Sequence, residues 1–165
     1  RSIIGVVPQH VKIFDNTLLY NLTLSNKPDD MDNVIEFCQY YGFDRYFEIL
    51  PQSYVTMLGH NGIHISAAQR QLIGIARALY RKPELLLLDE ATSCMDSNME
   101  KFVFELLARL KSTMATIFFT QVAIIAQKTD TIYLLEKGEL SNNGSPHTLM
   151  LTENIFSGSI KRLMN

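Results

Sequence analysis

An α/β fold, with a mostly parallel sheet flanked by helices, is predicted by three observations in this 165-residue sequence. Four consecutive leucines, Leu85 to Leu88, are followed at once by Asp89 and Glu90. An unbroken apolar run of this length suits a strand buried on both faces of a parallel sheet. SIIGVVP at residues 2–8 and TIFF at residues 116–119 read as further short β segments. Between these runs apolar residues recur at helical spacing. Met31, Val34, Ile35, Cys38 and Tyr41 form one stripe, and Phe102, Leu106, Leu107 and Leu110 another.

The length suffices for one domain with a substantial core. Hydrophobic residues make up 47%, which excludes a disordered chain. The net charge is -2, from 15 basic and 17 acidic side chains, so no basic excess argues for nucleic acid. Cys38 and Cys94 have neither metal nor redox spacing and read as free thiols. No apolar run reaches the length of a membrane span, and no signal peptide is visible. The first residue is Arg and falls inside a strand-like segment, which predicts a piece of a longer protein.

The acid pair sets the candidate chemistry. In open α/β sheets ligands bind at the carboxyl ends of the strands, where Asp89 and Glu90 stand. Asp89 can hold Mg²⁺, directly or through water. Glu90 can orient or deprotonate a water, and nucleotide hydrolysis needs that pairing. LLLLDE alone fits a core strand followed by a solvated acidic turn equally well. The preceding stretch, ISAAQRQLIGIARAL at residues 65–79, decides between the two. With the Arg-Lys-Pro turn after it and LLLLDEATS beyond, it resembles the nucleotide-binding domain of an ATP-binding-cassette (ABC) transporter. In that family a signature, LSGGQ, opens a helix leading directly to the acidic strand; ISAAQ stands in that place here. The resemblance implies a partial P-loop NTPase fold with a small helical subdomain. It also implies ATP and Mg²⁺ as cofactors, and a second nucleotide-binding domain and a transmembrane domain as partners. The expected location is the cytoplasmic face of a membrane.

From the N-terminus, the first β segment ends at Pro8, and Gln9 follows. The resemblance makes Gln9 the Q-loop glutamine, which reaches Mg²⁺ and the attacking water and also faces the membrane domain. An amide that both donates and accepts suits that double task. HVKIFDNTLLYNLTL, residues 10–24, resembles the exporter pattern that comes next. Residues 26–32 are polar, with Pro28 and three acids, and read as a linker and helix start capped by Asp29 or Asp30. Gly42 is a natural helix stop, and Phe43 to Leu50 reads as a second, shorter helix. In LPQSYVTMLGHNGIHI, residues 50–65, Gly59 and Gly62 allow tight turns. His60 stands where exporters commonly carry a glutamate. His60 and His64 have no carboxylate or cysteine spaced to complete a metal site and read as loop residues.

Ser66 and Gln69 form an S-x-x-Q capping box. The helix they open presents free N–H groups and a positive dipole end, which stabilise a phosphate. The resemblance implies that Ser66, Ala67, Ala68 and Gln69 meet the γ-phosphate of ATP held by the partner domain. Ala67 and Ala68 replace two glycines. Their methyl groups obstruct close backbone approach, or strain a left-handed backbone, and predict weakened phosphate binding. Residues 93–96 take the place of the family's dimer-contacting loop, with Asp96 retained. Ser97 and Glu100 read as an S-x-x-E capping box for the next helix. Gln121 follows the strand at 116–119, where the family carries a switch histidine. Glutamine donates a hydrogen bond but neither carries charge nor shuttles a proton, so slow hydrolysis is expected. Residues 131–144 read as a hairpin turning at Lys137-Gly138. His147 fits a structural position of the family, and residues 146–165 read as one or two closing helices.

The phosphate-cradling motif G-x-x-x-x-G-K-[ST] does not occur in the sequence. The resemblance therefore covers the C-terminal portion of one such domain. Residues 1–28 are its Q-loop strand region, 29–80 its helical subdomain with the signature, and 81–165 the rest of its catalytic core. The expected function is ATP binding and hydrolysis that power an exporter through nucleotide-driven dimerisation, the piece alone being inactive. The alternative is a degenerate cassette that binds ATP and regulates with little hydrolysis. Ala67, Ala68 and Gln121 favour that alternative, and the Asp89-Glu90 pair opposes it. A soluble ABC protein acting on DNA or ribosomes is disfavoured by the exporter-like LPQSYVTMLG run and the lack of basic excess.

Overall fold

Three short strands form a parallel sheet, with β1 (Ile4–Val7), β2 (Leu85–Asp89) and β3 (Ala115–Phe119) side by side in that order. The computed structural model describes residues 3–25, 27, 30–60 and 62–164. Their contacts gather into two units, Arg1–Phe119 and Thr120–Asn165, and the sheet belongs to the first. Val7 pairs with Leu88, and Asp89 with Phe119, so all three strands end at one carboxyl edge.

The leucine run does not behave as its pattern predicts. Leu86 and Leu88 are fully buried, while Leu85 and Leu87 are only partly covered. The register explains the split. Gly5, Val7, Leu86, Leu88, Thr116 and Phe118 share one face, and helices pack on it. Phe104 stacks on Phe118 with ring centroids 5.2 Å apart, and a Cβ on Gly5 would sit 3.4 Å from the Ala78 methyl. The opposite face carries Val6, Ile117 and Phe119, exposed by 59%, 46% and 50%. The described residues provide no element to cover it. An apolar strand half-covered in this way presents a surface made for contact.

Among its described residues the first unit also holds α1 (Leu18–Thr23), α2 (Asp30–Tyr41), α3 (Asp44–Phe47), α4 (Ala67–Tyr80) and α5 (Ser97–Leu110), with a 3-10 turn at Ser53–Val55. On α2 the expected stripe is the buried one, with Val34, Phe37 and Cys38 inward. Asp30 lies inside this helix, and Asp29, the other candidate cap, is outside the described residues. Gly42 ends the helix at a φ of 85°, its N–H donating to the Cys38 carbonyl at 2.8 Å, the left-handed stop that glycine adopts without a Cβ penalty. Phe43 then fills the centre of the helical part. It stacks on Phe37 and Phe47 and meets the edge of Phe102 at 5.4 Å.

The cap of α5 differs from the predicted box. Asp96, not Ser97, occupies the cap, and its carboxylate accepts from the N–H groups of Asn98 at 2.9 Å and Met99 at 2.8 Å. A carboxylate at a helix N-terminus gains from the dipole as well as from the bonds, so the acid takes the position from its neighbouring serine.

The second unit holds α6 (Ala123–Ala126), an antiparallel hairpin of β4 (Ile132–Glu136) and β5 (Glu139–Gly144), then α7 (Pro146–Met150) and α8 (Ile155–Met164). Lys137 and Gly138 have φ of 51° and 84°, the doubly left-handed turn that matches strand twist in a two-residue hairpin. Ile132, Leu134, Leu149, Phe156 and Ile160 form this unit's own core.

Candidate active site

β2 ends at Asp89, and the chain then turns sharply. Glu90 has a φ of 48°, in the left-handed region that side chains bearing a Cβ avoid. Backbone hydrogen bonds hold it there. Its N–H donates to the Phe119 carbonyl at 3.0 Å, and its carbonyl accepts from the Ser93 N–H at 3.2 Å and the Ser93 hydroxyl at 2.8 Å. A disfavoured backbone fixed by its surroundings is a mark of functional segments. Here it takes Glu90 out of the strand's alternation, leaving it half-buried while Asp89 stays exposed.

The register brings Gln9 to the same edge. Val7, the last residue of β1, pairs with Leu88, and Pro8 and Asp89 each come next in their chains. Gln9 is one residue further and exposed. Gln9 therefore follows the carboxyl end of β1, and Asp89 and Glu90 stand at that of the adjacent β2. A carboxylate and an amide oxygen are hard donors. Mg²⁺ binds through one or two carboxylates, water and substrate phosphates, so this donor set fits it. His60 and His64 lie elsewhere, lining a groove of about 290 Å³ with Ile13 and Arg70. Among the described residues, no three His, Cys, Asp or Glu side chains gather as a metal cluster.

Ser66 caps α4 as its spacing predicts. Its hydroxyl accepts from the Gln69 N–H at 3.1 Å, and the Gln69 side chain accepts from the Ser66 N–H at 2.8 Å. Ala67 and Ala68 are the first two helical residues, and neither has a positive φ. The backbone strain expected of them is thus absent, because a helical N-terminus suits alanine. Only the volume of their methyl groups separates them from glycine. Helix α4 runs antiparallel to β1, with Ala78 near Gly5, Gly74 near Val7 and Gln71 at Pro8. Ser66 lies five residues before Gln71, about 7.5 Å further along the axis at ~1.5 Å per residue, so the cap projects beyond the edge that carries Gln9. Asp96 is committed to capping α5. Gln121 is exposed and belongs to the second unit, two residues after β3.

Two polar residues carry structure that spacing alone did not assign. Asn21 is fully buried, its amide donating to the carbonyls of Phe14, Asn16 and Thr17 and accepting from the Phe14 N–H at 2.8 Å. Arg77 donates to the Asn21 carbonyl at 2.6 Å and the Lys12 carbonyl at 3.0 Å. Burial pushes the Arg77 pKa down, and Arg81 nearby adds to the shift. The available signals were the second asparagine of residues 10–24 and the arginine of IARAL. Cys38 is a core thiol whose pKa burial pushes up to about 12, whereas Cys94 is exposed.

Comparison with known proteins adds an independent line. The family model for ABC transporters matches residues 1–93. An uncharacterized ABC transporter ATP-binding protein, YfiB of Bacillus subtilis (strain 168), is 37% identical over 93% of this chain and 26% of its own length. The ABC multidrug transporter mdr4 of Aspergillus fumigatus is 34% identical over 97% of this chain and 12% of its own length. Among solved structures, a bacterial Atm1-family ABC exporter with ATP bound superposes with a TM-score of 0.88 at 27% identity, covering 99% of this chain and 28% of that one. The chain thus spans about an eighth to a quarter of the length of the curated relatives it matches.

Proposed function

Since this chain belongs to the ABC transporter family, as ATP-binding domain of the exporter type, we propose that it supplies the hydrolytic half of one nucleotide site in a membrane exporter. The observation that supports this reading is the parallel register that ends β1, β2 and β3 at one carboxyl edge, with Gln9 following β1 and Asp89 and Glu90 at the end of β2. In it, Asp89 and Gln9 hold Mg²⁺, which when bound offsets the charge of the ATP phosphates. Glu90 accepts the proton of the attacking water. Ser66, with the N–H groups of Ala67 and Ala68, donates to the γ-phosphate of the ATP held by a second such domain, and Asp96 stands in the loop facing that domain. Gln121 orients the water by hydrogen bonding. Residues 1–28, 29–80 and 81–165 act as one domain at the cytoplasmic face, docked to a transmembrane domain. The motif that cradles phosphate is missing from this sequence. Its segment is proposed to cover the bare face formed by Val6, Ile117 and Phe119.

A degenerate, regulatory cassette is the second reading, favoured by Gln121 and by the methyl groups of Ala67 and Ala68. One assay weighs both: ATP turnover of the full-length protein beside the 165-residue chain alone and beside a full-length Gln121→His variant. The expected result is turnover by the full-length protein, none by the chain alone, and a gain approaching 10²-fold with histidine. A full-length protein that hydrolyses nothing, even with Gln121→His, would leave the regulatory reading. Micromolar ATP affinity in the chain alone would overturn the need for a separate cradle.

A further inference from the structure

Helix α4 turns three residues at three-residue spacing, Gln71, Gly74 and Arg77, onto the segment that bears Gln9. Gln71 is 3% exposed, and its side-chain amide donates to the carbonyls of Pro8, at 3.3 Å, and of Gln9. Gly74 lets Val7 and Val11 approach so closely that a Cβ there would lie 2.5 Å from a Val11 methyl. Arg77 fastens Lys12 and Asn21 beyond. The Gln71 side-chain oxygen is buried and finds no hydrogen-bond partner among the described residues. An unpaired buried acceptor is destabilising, and an apolar side chain of similar size would avoid that cost. The two bonds from its nitrogen are what this position gains from an amide.

We propose that Gln71 is a positioning residue for Gln9. Its amide fastens the backbone that presents Gln9 to the helix that Ser66 caps. The glutamine assigned to Mg²⁺ and the helix end assigned to the partner's phosphate then move as one piece. The catalytic part of this inference rests on the role given to Gln9 above; the fastening does not.

Gln71→Met keeps the volume and removes both donors, and Gln71→Leu serves if the first variant is not folded. In the full-length protein, kcat, the KM for ATP and the Mg²⁺ requirement are measured for Gln71→Met, Gln9→Ala and the double variant. Hydrogen exchange of the amides at residues 9–12 is followed alongside. Gln71→Met is expected to lower kcat by about 10- to 10²-fold, as a displaced catalytic group does. The KM for ATP should hold while more Mg²⁺ is needed. On the Gln9→Ala background the same change should cost little more, because both act through one group. Exchange at residues 9–12 should quicken. An equal loss of kcat on both backgrounds would overturn the positioning role. If the unaltered protein hydrolyses no ATP, the proposed function fails by itself and exchange alone decides the fastening: faster exchange supports it, and unchanged exchange overturns it.

Discussion

Glu90→Gln in the full-length protein is expected to cut ATP turnover by about 10²- to 10⁴-fold, the range that a positioned general base contributes, while ATP binding persists. The substitution isolates the carboxylate. The turn at residue 90 is held through its backbone, by the N–H to Phe119 and by the carbonyl from the N–H and hydroxyl of Ser93. Glutamine has nearly the same shape and pays a similar penalty at a φ of 48°. Stability should therefore stay within about 0.5 kcal/mol of the unaltered protein. Steady-state hydrolysis together with nucleotide binding checks this. Turnover equal to that of the unaltered protein would remove Glu90 from the chemistry.

Phe43→Ala should be the most damaging single change in the helical part, costing about 3–5 kcal/mol. Phe43 is fully buried and joins three elements, through Phe37 of α2, Phe47 of α3 and Phe102 of α5. Truncation leaves a void among rings whose centroids lie 5.4 to 5.9 Å from that of Phe43, and neither the stacked pair nor the edge contact can close it without moving a helix. Residues 44–47 are a single turn and contribute little of their own. The loss should appear as amide exchange about 10²- to 10⁴-fold faster at Val34, Cys38 and Val103 in the full-length protein. An increase below about fivefold, under 1 kcal/mol, would mean that the site collapses around the cavity.

Local rules carried far in this sequence where one residue type had one good solution. The cap at Ser66, the stop at Gly42 and the hairpin at Lys137-Gly138 each follow from a few adjacent residues, and each appears in the structure. The acidic end of the leucine strand was legible for the same reason. Spacing failed where two solutions compete over one residue, as at Asp96 and Ser97, where the carboxylate takes the cap. It failed again where burial depends on what covers a face. Four leucines state that both sides of β2 are apolar, but not that one of them lies open among the described residues. Nothing in a linear pattern gives the partners of Gln71 or Arg77, because they lie 62 and 56 residues away, and on the helix each reads as an ordinary polar residue. The left-handed turn at Glu90 was equally hidden, since it is fixed by the end of a neighbouring strand rather than by a glycine.

The proposed chemistry needs the acid at the tip of β2 as a metal ligand beside a nucleotide. Mn²⁺, a paramagnetic substitute for Mg²⁺, offers the most direct test. Its electron paramagnetic resonance spectrum would be recorded with ATP and full-length protein, unaltered or carrying Asp89→Asn or Glu90→Gln. The expected result is protein-bound Mn²⁺ in the unaltered protein and in Glu90→Gln, and at least a tenfold weaker complex, about 1.4 kcal/mol, in Asp89→Asn. Mn²⁺ held as tightly by Asp89→Asn as by the unaltered protein would contradict it.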